Sequence, residues 1–230
     1  MKLNASPPSA TPDVVYSPPP DAGLDIVFMD AHLIVVHKPS GLLTVPGRGE
    51  GRGDCLISRA QRQVADAMIV HRLDMATSGL LVLARSTAMQ SRLSQLFQHR
   101  EVNKRYVAIV HGLLASDEGL IDLPLITDWP RRPMQKVCHE QGKSSQTQFA
   151  VITRVDHLNQ TRVELEPITG RSHQLRVHML ALGHAIVGDP LYGDQAVQNR
   201  YPRLMLHASQ LRLPHPMTGE LLMWHRPPDF

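Results

Sequence analysis

Short apolar runs rich in β-branched residues follow one another along this chain with little helix between them, and few architectures can bury that pattern. Ile26-Val27-Phe28 and Leu33 to Val36 flank Asp30-Ala31-His32 and predict a hairpin. Leu80 to Leu83 predicts a strand, as do RYVAIVHG (105–112), TQFAVITRV (147–155), TRVELEP (161–167), RLMLHASQLRL (203–213) and ELLMWH (220–225). Helical spacing is confined to three stretches. Leu56, Ala60, Val64 and Ala67 form one stripe; Met89, Leu93, Leu96 and Phe97 form a second, behind a Thr87–Gln90 capping box. The third is Leu175, Met179 and Leu182, with Ser172 as N-cap and Gly183 as stop. Strands that outnumber helices and often adjoin predict an α+β fold. Its core is a large, mostly antiparallel mixed sheet with flanking helices, not a repeating βαβ unit.

The first 20 residues carry six prolines among Ser, Ala and Thr. Such a segment offers few ladder donors and little apolar surface, so residues 1–23 read as an extended, disordered tail. No later composition break or repeat divides residues 24–230, which predicts one domain. No run of about 18 apolar residues exists, so no membrane-spanning helix is expected. Cys55 and Cys138 are far apart and form no C-x-x-C pair. That favours a reducing compartment, here the cytoplasm, over a disulfide framework or a cysteine zinc site.

Charge is uneven along the chain. Residues 52–105 hold nine Lys/Arg and four Asp/Glu, a balance of 9 − 4 = +5, while residues 1–30 hold one Lys and four Asp. Residues 121–143 add Arg131, Arg132, Lys136 and Lys143 around a single tryptophan in a proline-broken stretch. Basic residues around an aromatic suit the backbone and bases of a nucleic acid, although a solvated surface loop shows the same composition.

Several chemistries lack their residues. There is no G-x-x-x-x-G-K-[ST], no G-x-G-x-x-G, no H-E-x-x-H and no G-x-S-x-G, and His173 and His178 are spaced too far apart to share a helical face. Neither a nucleotide cofactor nor a metal is implied. What remains is Asp74 in HRLDMATSGLLVL (71–83), a carboxylate placed directly before a strand that reads as buried. Desolvation would raise its pKa and a guanidinium would lower it. Arg171, between Gly170 and the start of the third helix, is the candidate partner. Taken alone, Asp74 reads first as a capping or salt-bridged structural residue, ahead of a catalytic group.

Taken together, the segments resemble the RluA-type pseudouridine synthases. HRLDMATSGLLVLA resembles that family's aspartate motif, NKRYVAIVHG its tyrosine motif and PITGRSHQLRVHMLALGHAIVGDPLYG its third motif, with RLMLHA as the later strand. IVVHKPSGLLTVPG is similar to the opening hairpin, so the likeness runs from about residue 24 to 230. DLPLITDWPRRPMQKVCHE resembles the dual-specificity branch, which lacks an N-terminal RNA-binding domain of S4 type. Ala185 departs from the proline usual after Gly-His in relatives, at a turn remote from the chemistry.

The resemblance implies the pseudouridine synthase fold with a central RNA-binding cleft. The reaction is isomerisation of uridine to pseudouridine in structured RNA, with no cofactor. Asp74 is implied as the group that attacks the sugar C1′ or deprotonates C2′. Tyr106 stacks on the target base and takes part in its deprotonation, and Arg171 pairs with Asp74. Arg72 inserts into the RNA stack as the uridine is flipped out, and His71 beside it supports that RNA-facing loop. Arg131, Arg132 and Lys136 embrace the stem-loop. The implied substrates are 23S rRNA at position 746 and tRNA at position 32, acted on by a monomer. A synthase for another rRNA or tRNA uridine, or an RNA-binding factor with vestigial activity, are the alternatives. A glycoside-cleaving hydrolase would need a second catalytic carboxylate that the sequence does not offer Asp74.

Overall fold

The computed structural model describes residues 16–230. In chain order the elements are β1 (Asp25–Met29), β2 (Leu33–Lys38), α1 (Leu56–Gln63), β3 (Met68–Ile69), β4 (Ser78–Ala84), α2 (Thr87–Gln98), β5 (Asn103–His111) and β6 (Glu118–Asp122). There follow β7 (Leu125–Thr127), β8 (Gln135–Val137), β9 (Gln146–Val155), β10 (Gln160–Pro167), α3 (Gln174–Ala181), α4 (Gln195–Gln198), β11 (Leu206–Pro214) and β12 (Leu221–His225). Ten strands form one sheet in the order β1-β2-β4-β11-β5-β10-β9-β6, with β3 on β4 and β12 on β11. Every pair in it is antiparallel except β4 with β11. This is the α+β architecture expected, with a mixed sheet.

The run from Leu80 to Leu83 is apolar on both faces because β4 is central and covered twice. Leu81 and Leu83 join Leu56 and Ala60 of α1, while Leu80 and Val82 join Met89 and Leu93 of α2. A third core joins Ala108, Val110, Val163 and Leu165 to Leu175 and Met179 of α3. Tyr106 packs against both the α1 core and the α3 core, so it sits where the two meet on one face of the sheet. The parallel β4–β11 contact fixes where the Asp74 loop enters the sheet. Gly79 has φ +120°, and a Cβ there would lie 2.3 Å from the Ala208 carbonyl oxygen, so only glycine permits this approach.

Several local expectations shift; α3, for one, has His173 rather than Ser172 at its N-cap. The second helix is capped by Ser86, whose Oγ accepts from Met89 N at 3.2 Å, one residue before the expected Thr87. The expected long loop at 121–143 contains the β7–β8 hairpin and a 3₁₀ turn, Trp129–Arg131. The segment expected to be a disordered tail is, from Tyr16 on, extended chain laid on the domain. Tyr16 Oη donates to the Asp54 carbonyl at 2.9 Å, and buried Arg59 donates to the Pro19 carbonyl at 2.7 Å. Residues 1–15 of that tail lie outside the described residues.

Candidate active site

Asp74 stands on the loop between β3 and β4, residues 70–77, and the turn after β2 grips its Leu73 to Ala76 stretch. The KPSGLLT sequence supplies the grip. Lys38 Nζ and Gly41 N both donate to the Met75 carbonyl, at 3.1 and 2.8 Å. Ser40 Oγ donates to the Ala76 carbonyl at 2.7 Å, and Thr44 Oγ1 to the Leu73 carbonyl at 2.7 Å. Lys38 is wholly buried and also donates to the carbonyls of Pro39 and Leu42. Burial pushes its ammonium down to about 7, against the pull of the nearby Asp74 charge.

The guanidinium facing Asp74 belongs to Arg176, not Arg171. Arg176 Nη1 donates to Asp74 Oδ2 at 3.3 Å, while its Nε and Nη2 make a two-point contact to Asp189 at 2.7 and 2.6 Å. Burial opposes the charge of Arg176, but Asp189 and Asp74 outweigh it and hold the guanidinium above its ordinary pKa. Asp189 is completely buried, and its Oδ1 also accepts from Leu191 N and Tyr192 N. Asp74 keeps 29% of its side-chain surface open, against 3% for Arg176. Among the described residues, Asp74 Oδ1 accepts no hydrogen bond.

Arg171 is exposed, and its Nε donates to the Ser144 carbonyl at 3.3 Å. The cause lies in the entry to α3. Arg171 N is tied to Gln174 Oε1, and His173 turns the chain with φ +54°. Arg171 is thereby folded to the surface while the first helical turn carries Arg176 inward. The expected Asp74–Arg171 pair is therefore replaced by Asp74–Arg176–Asp189.

His173 completes this side of the site. Tyr192 Oη accepts from Gln135 N at 2.8 Å and shares a hydrogen bond with His173 Nδ1, also at 2.8 Å. The other ring nitrogen, Nε2, faces Asp74 Oδ2 at 3.8 Å. Burial lowers the His173 pKa and pushes the Tyr192 phenol up to about 12. A polar series thus runs from β8 towards the Asp74 carboxylate, hydrogen-bonded as far as His173. Neither Asp189 nor Tyr192 nor His173 was singled out for the site from sequence. Periodicity held no signal for them: in the fold Gln174 to Met179 are all buried, which the apolar stripe of α3 does not encode.

Tyr106 lies across the site. Burial raises its pKa and the Asp74 charge raises it further, so the phenol is protonated at neutral pH. Among the described residues its hydroxyl has no hydrogen-bond partner. His71 is turned inward. Its Nε2 accepts from Val82 N at 3.1 Å and its ring stacks on Phe97 with centroids 4.4 Å apart. Burial pushes its pKa down to about 3, so it holds the loop as a neutral ring and offers no charge to RNA. Arg72, one residue on, is exposed and has no hydrogen bond or ion pair among the described residues. Ser78, near Asp74 in sequence, is buried and bonds His207 Nδ1 at 2.8 Å.

The buried neutral histidines set an acid limit on the fold. His71 and His207, the latter pushed down to about 4 by burial, take up protons near pH 6.5 only when unfolded. The unfolded chain then binds more protons below pH 6.5, so their contribution is full above that value and is lost as pH falls towards 4. The urea midpoint should drop steadily between pH 6.5 and 4, before carboxylates titrate. A midpoint that is flat across this window would contradict the assignment.

Much of the basic excess read from sequence is neutralised internally. Arg59 pairs with Asp54, Arg62 with Asp21, Arg85 with Asp66, and Arg105 with Glu164 and Glu166. In the hairpin region, buried Asp128 takes both Arg131, at 2.6 Å, and Lys136, at 3.7 Å. Arg132 instead stacks on Trp129, 4.5 Å from its ring centroid, and Trp129 is 64% exposed.

A ten-stranded mixed sheet carrying an aspartate loop, a facing tyrosine and a buried arginine on one face defines a class. The sequence profile of the family described as RNA pseudouridylate synthase matches residues 32–181, and the chain belongs to this family of enzymes, which isomerise uridine in RNA. It is similar to the dual-specificity RNA pseudouridine synthase RluA of Escherichia coli K12, with 51% identity over 215 residues covering 94% of this chain and 98% of the relative. It is also similar to the RluA of Yersinia pestis, with 55% identity over 84% of this chain and 94% of that one. Among solved structures, human RNA pseudouridylate synthase domain containing 1 superposes with a TM-score of 0.77 at 29% identity, covering 93% of this chain and 87% of that one.

Proposed function

We propose that this enzyme acts on both rRNA and tRNA, at 23S rRNA position 746 and tRNA position 32, as a cytoplasmic monomer. The similarity over nearly the full length to synthases named for dual specificity carries this reading. No helix among the described residues is long and apolar enough to cross a membrane. Asp74 is the reacting carboxylate, with Oδ1 open to the extruded nucleoside and Oδ2 facing Arg176. Arg176, locked by Asp189, faces the carboxylate and aims it. Tyr106, protonated and without an internal partner, stacks on the uracil and can donate its hydroxyl to it. Arg72 fills the gap left by the flipped base; its planar guanidinium suits stacking.

The Trp129–Arg132 stack extends the binding surface along the hairpin. Because Asp128 engages Arg131 and Lys136, the aromatic face with Arg132 is the stronger RNA contact of that segment. Loss of one stacked base costs about 1–3 kcal/mol. Trp129→Ala should therefore weaken stem-loop binding about tenfold, with the rate at saturating RNA unchanged. Filter binding alongside turnover separates the two, and an unaltered affinity would remove Trp129 from the interface.

Pseudouridine mapping of rRNA and tRNA from cells lacking the gene tests the substrate. Loss at both positions is expected. Loss at one different uridine would transfer the assignment to that site, and an unchanged map in both RNAs would overturn it.

A further inference from the structure

We propose that Lys104 binds a backbone phosphate of the RNA strand beside the extruded uridine; this rests on the RNA-modifying reading above. Lys104 and Tyr106 are two apart on β5, so both side chains project from the same face of the strand. The ammonium lies near His71, three residues before Asp74, whose imidazolium its charge disfavours. On the other side it approaches Gly170, where an added Cβ would stand 3.9 Å from Nζ. Lys104 thus occupies the gap between the loop that carries Asp74 and the loop that opens α3.

Among the described residues its surroundings lack a counter-ion. Of the basic residues in 52–105, Arg59, Arg62, Arg85 and Arg105 have carboxylate partners. Lys104 has no ion pair and no hydrogen bond among the described residues. Its contact is the face of Phe97, with Nζ 5.8 Å from the ring centroid. Burial alone lowers its pKa. A half-buried cation with no anion destabilises the free protein, and here it stands at the mouth of a site whose substrate is a polyanion. Phe97 and His71 form an uncharged wall beside it, and Gly170 leaves its approach open. An arriving phosphate would supply the missing anion. The ordering of the phosphate would then set the strand's position relative to Tyr106 and Asp74.

The probe is a tRNA anticodon stem-loop carrying 5-tritiated uridine, assayed for binding and single-turnover tritium release across a KCl series. Lys104→Met should raise Kd about tenfold at low salt and shallow the log Kd against log[KCl] slope by about 0.7, the value for one single-strand phosphate. Lys104→Arg should restore both. The free Lys104→Met protein should unfold at the wild-type temperature or above, since an unpaired buried charge is gone. If methionine does not fold there, Lys104→Gln gives the same comparison. An unchanged salt slope, or a loss confined to the rate at saturating RNA, would overturn the phosphate contact. Failure of the wild-type protein to release tritium from this RNA would instead count against the tRNA reading.

Discussion

Asp74→Asn should leave RNA binding near the wild-type level and slow isomerisation by roughly 10⁴-fold or more, the scale seen when a reacting nucleophile is removed. The amide has the shape of the carboxylate but not its charge or basicity, and neither attack on C1′ nor proton abstraction from C2′ survives that loss. The structure explains why binding should persist. The loop around Asp74 is held through its backbone, by Lys38, Ser40, Gly41 and Thr44, and none of these bonds involves the carboxylate. Arg176 keeps its two-point contact to Asp189 when Asp74 loses its charge. Single-turnover tritium release from 5-tritiated uridine RNA, with filter binding on the same samples, measures both quantities. An asparagine variant within tenfold of wild-type turnover would remove Asp74 from the chemistry.

What could be seen from sequence divides along a physical line. Asp74 stood out because a carboxylate beside a strand buried on both faces is locally anomalous, but on its own it read as a structural residue, and only the motif resemblance implied a catalytic role. The strand itself was legible because β4 must be apolar on two sides when α1 covers one and α2 the other. Arg176 was not legible. The stripe Leu175, Met179 and Leu182 assigns one face of α3 to the core and leaves Arg176 nominally outside it. In the fold, Gln174 to Met179 are all buried, a tertiary fact that periodicity does not encode. Arg171 drew attention because it adjoins a glycine, but the His173 turn directs it to solvent. Charge suffered the same limit. A count registers Arg59, Arg62, Arg85 and Arg105 equally with Arg72 and Lys104, whereas only pairing shows which charges remain for an anion.

Arg176→Met should be the most damaging substitution to stability within the site. Asp189 is wholly buried, and without the guanidinium its Oδ2 has no partner while Oδ1 keeps only Leu191 N and Tyr192 N. An uncompensated buried carboxylate costs about 3–5 kcal/mol. At roughly 2–4 °C per kcal/mol for a chain of this size, Tm should fall by on the order of 10 °C. Turnover should also fall sharply, because Asp74 loses the charge that aims it. Stability and activity can then be separated. Arg176→Lys keeps a charge but not the fork that serves two carboxylates at once, so it should recover part of the stability and little of the activity. Arg176→Met combined with Asp189→Leu replaces the whole buried pair with apolar volume, and such replacements are often neutral or stabilising. The double variant should therefore regain Tm while remaining inactive. Thermal unfolding and tritium release across the three variants decide the matter. If the double variant recovered turnover together with Tm, Arg176 would be a purely structural residue, and the ion pair with Asp74 would have no part in the reaction.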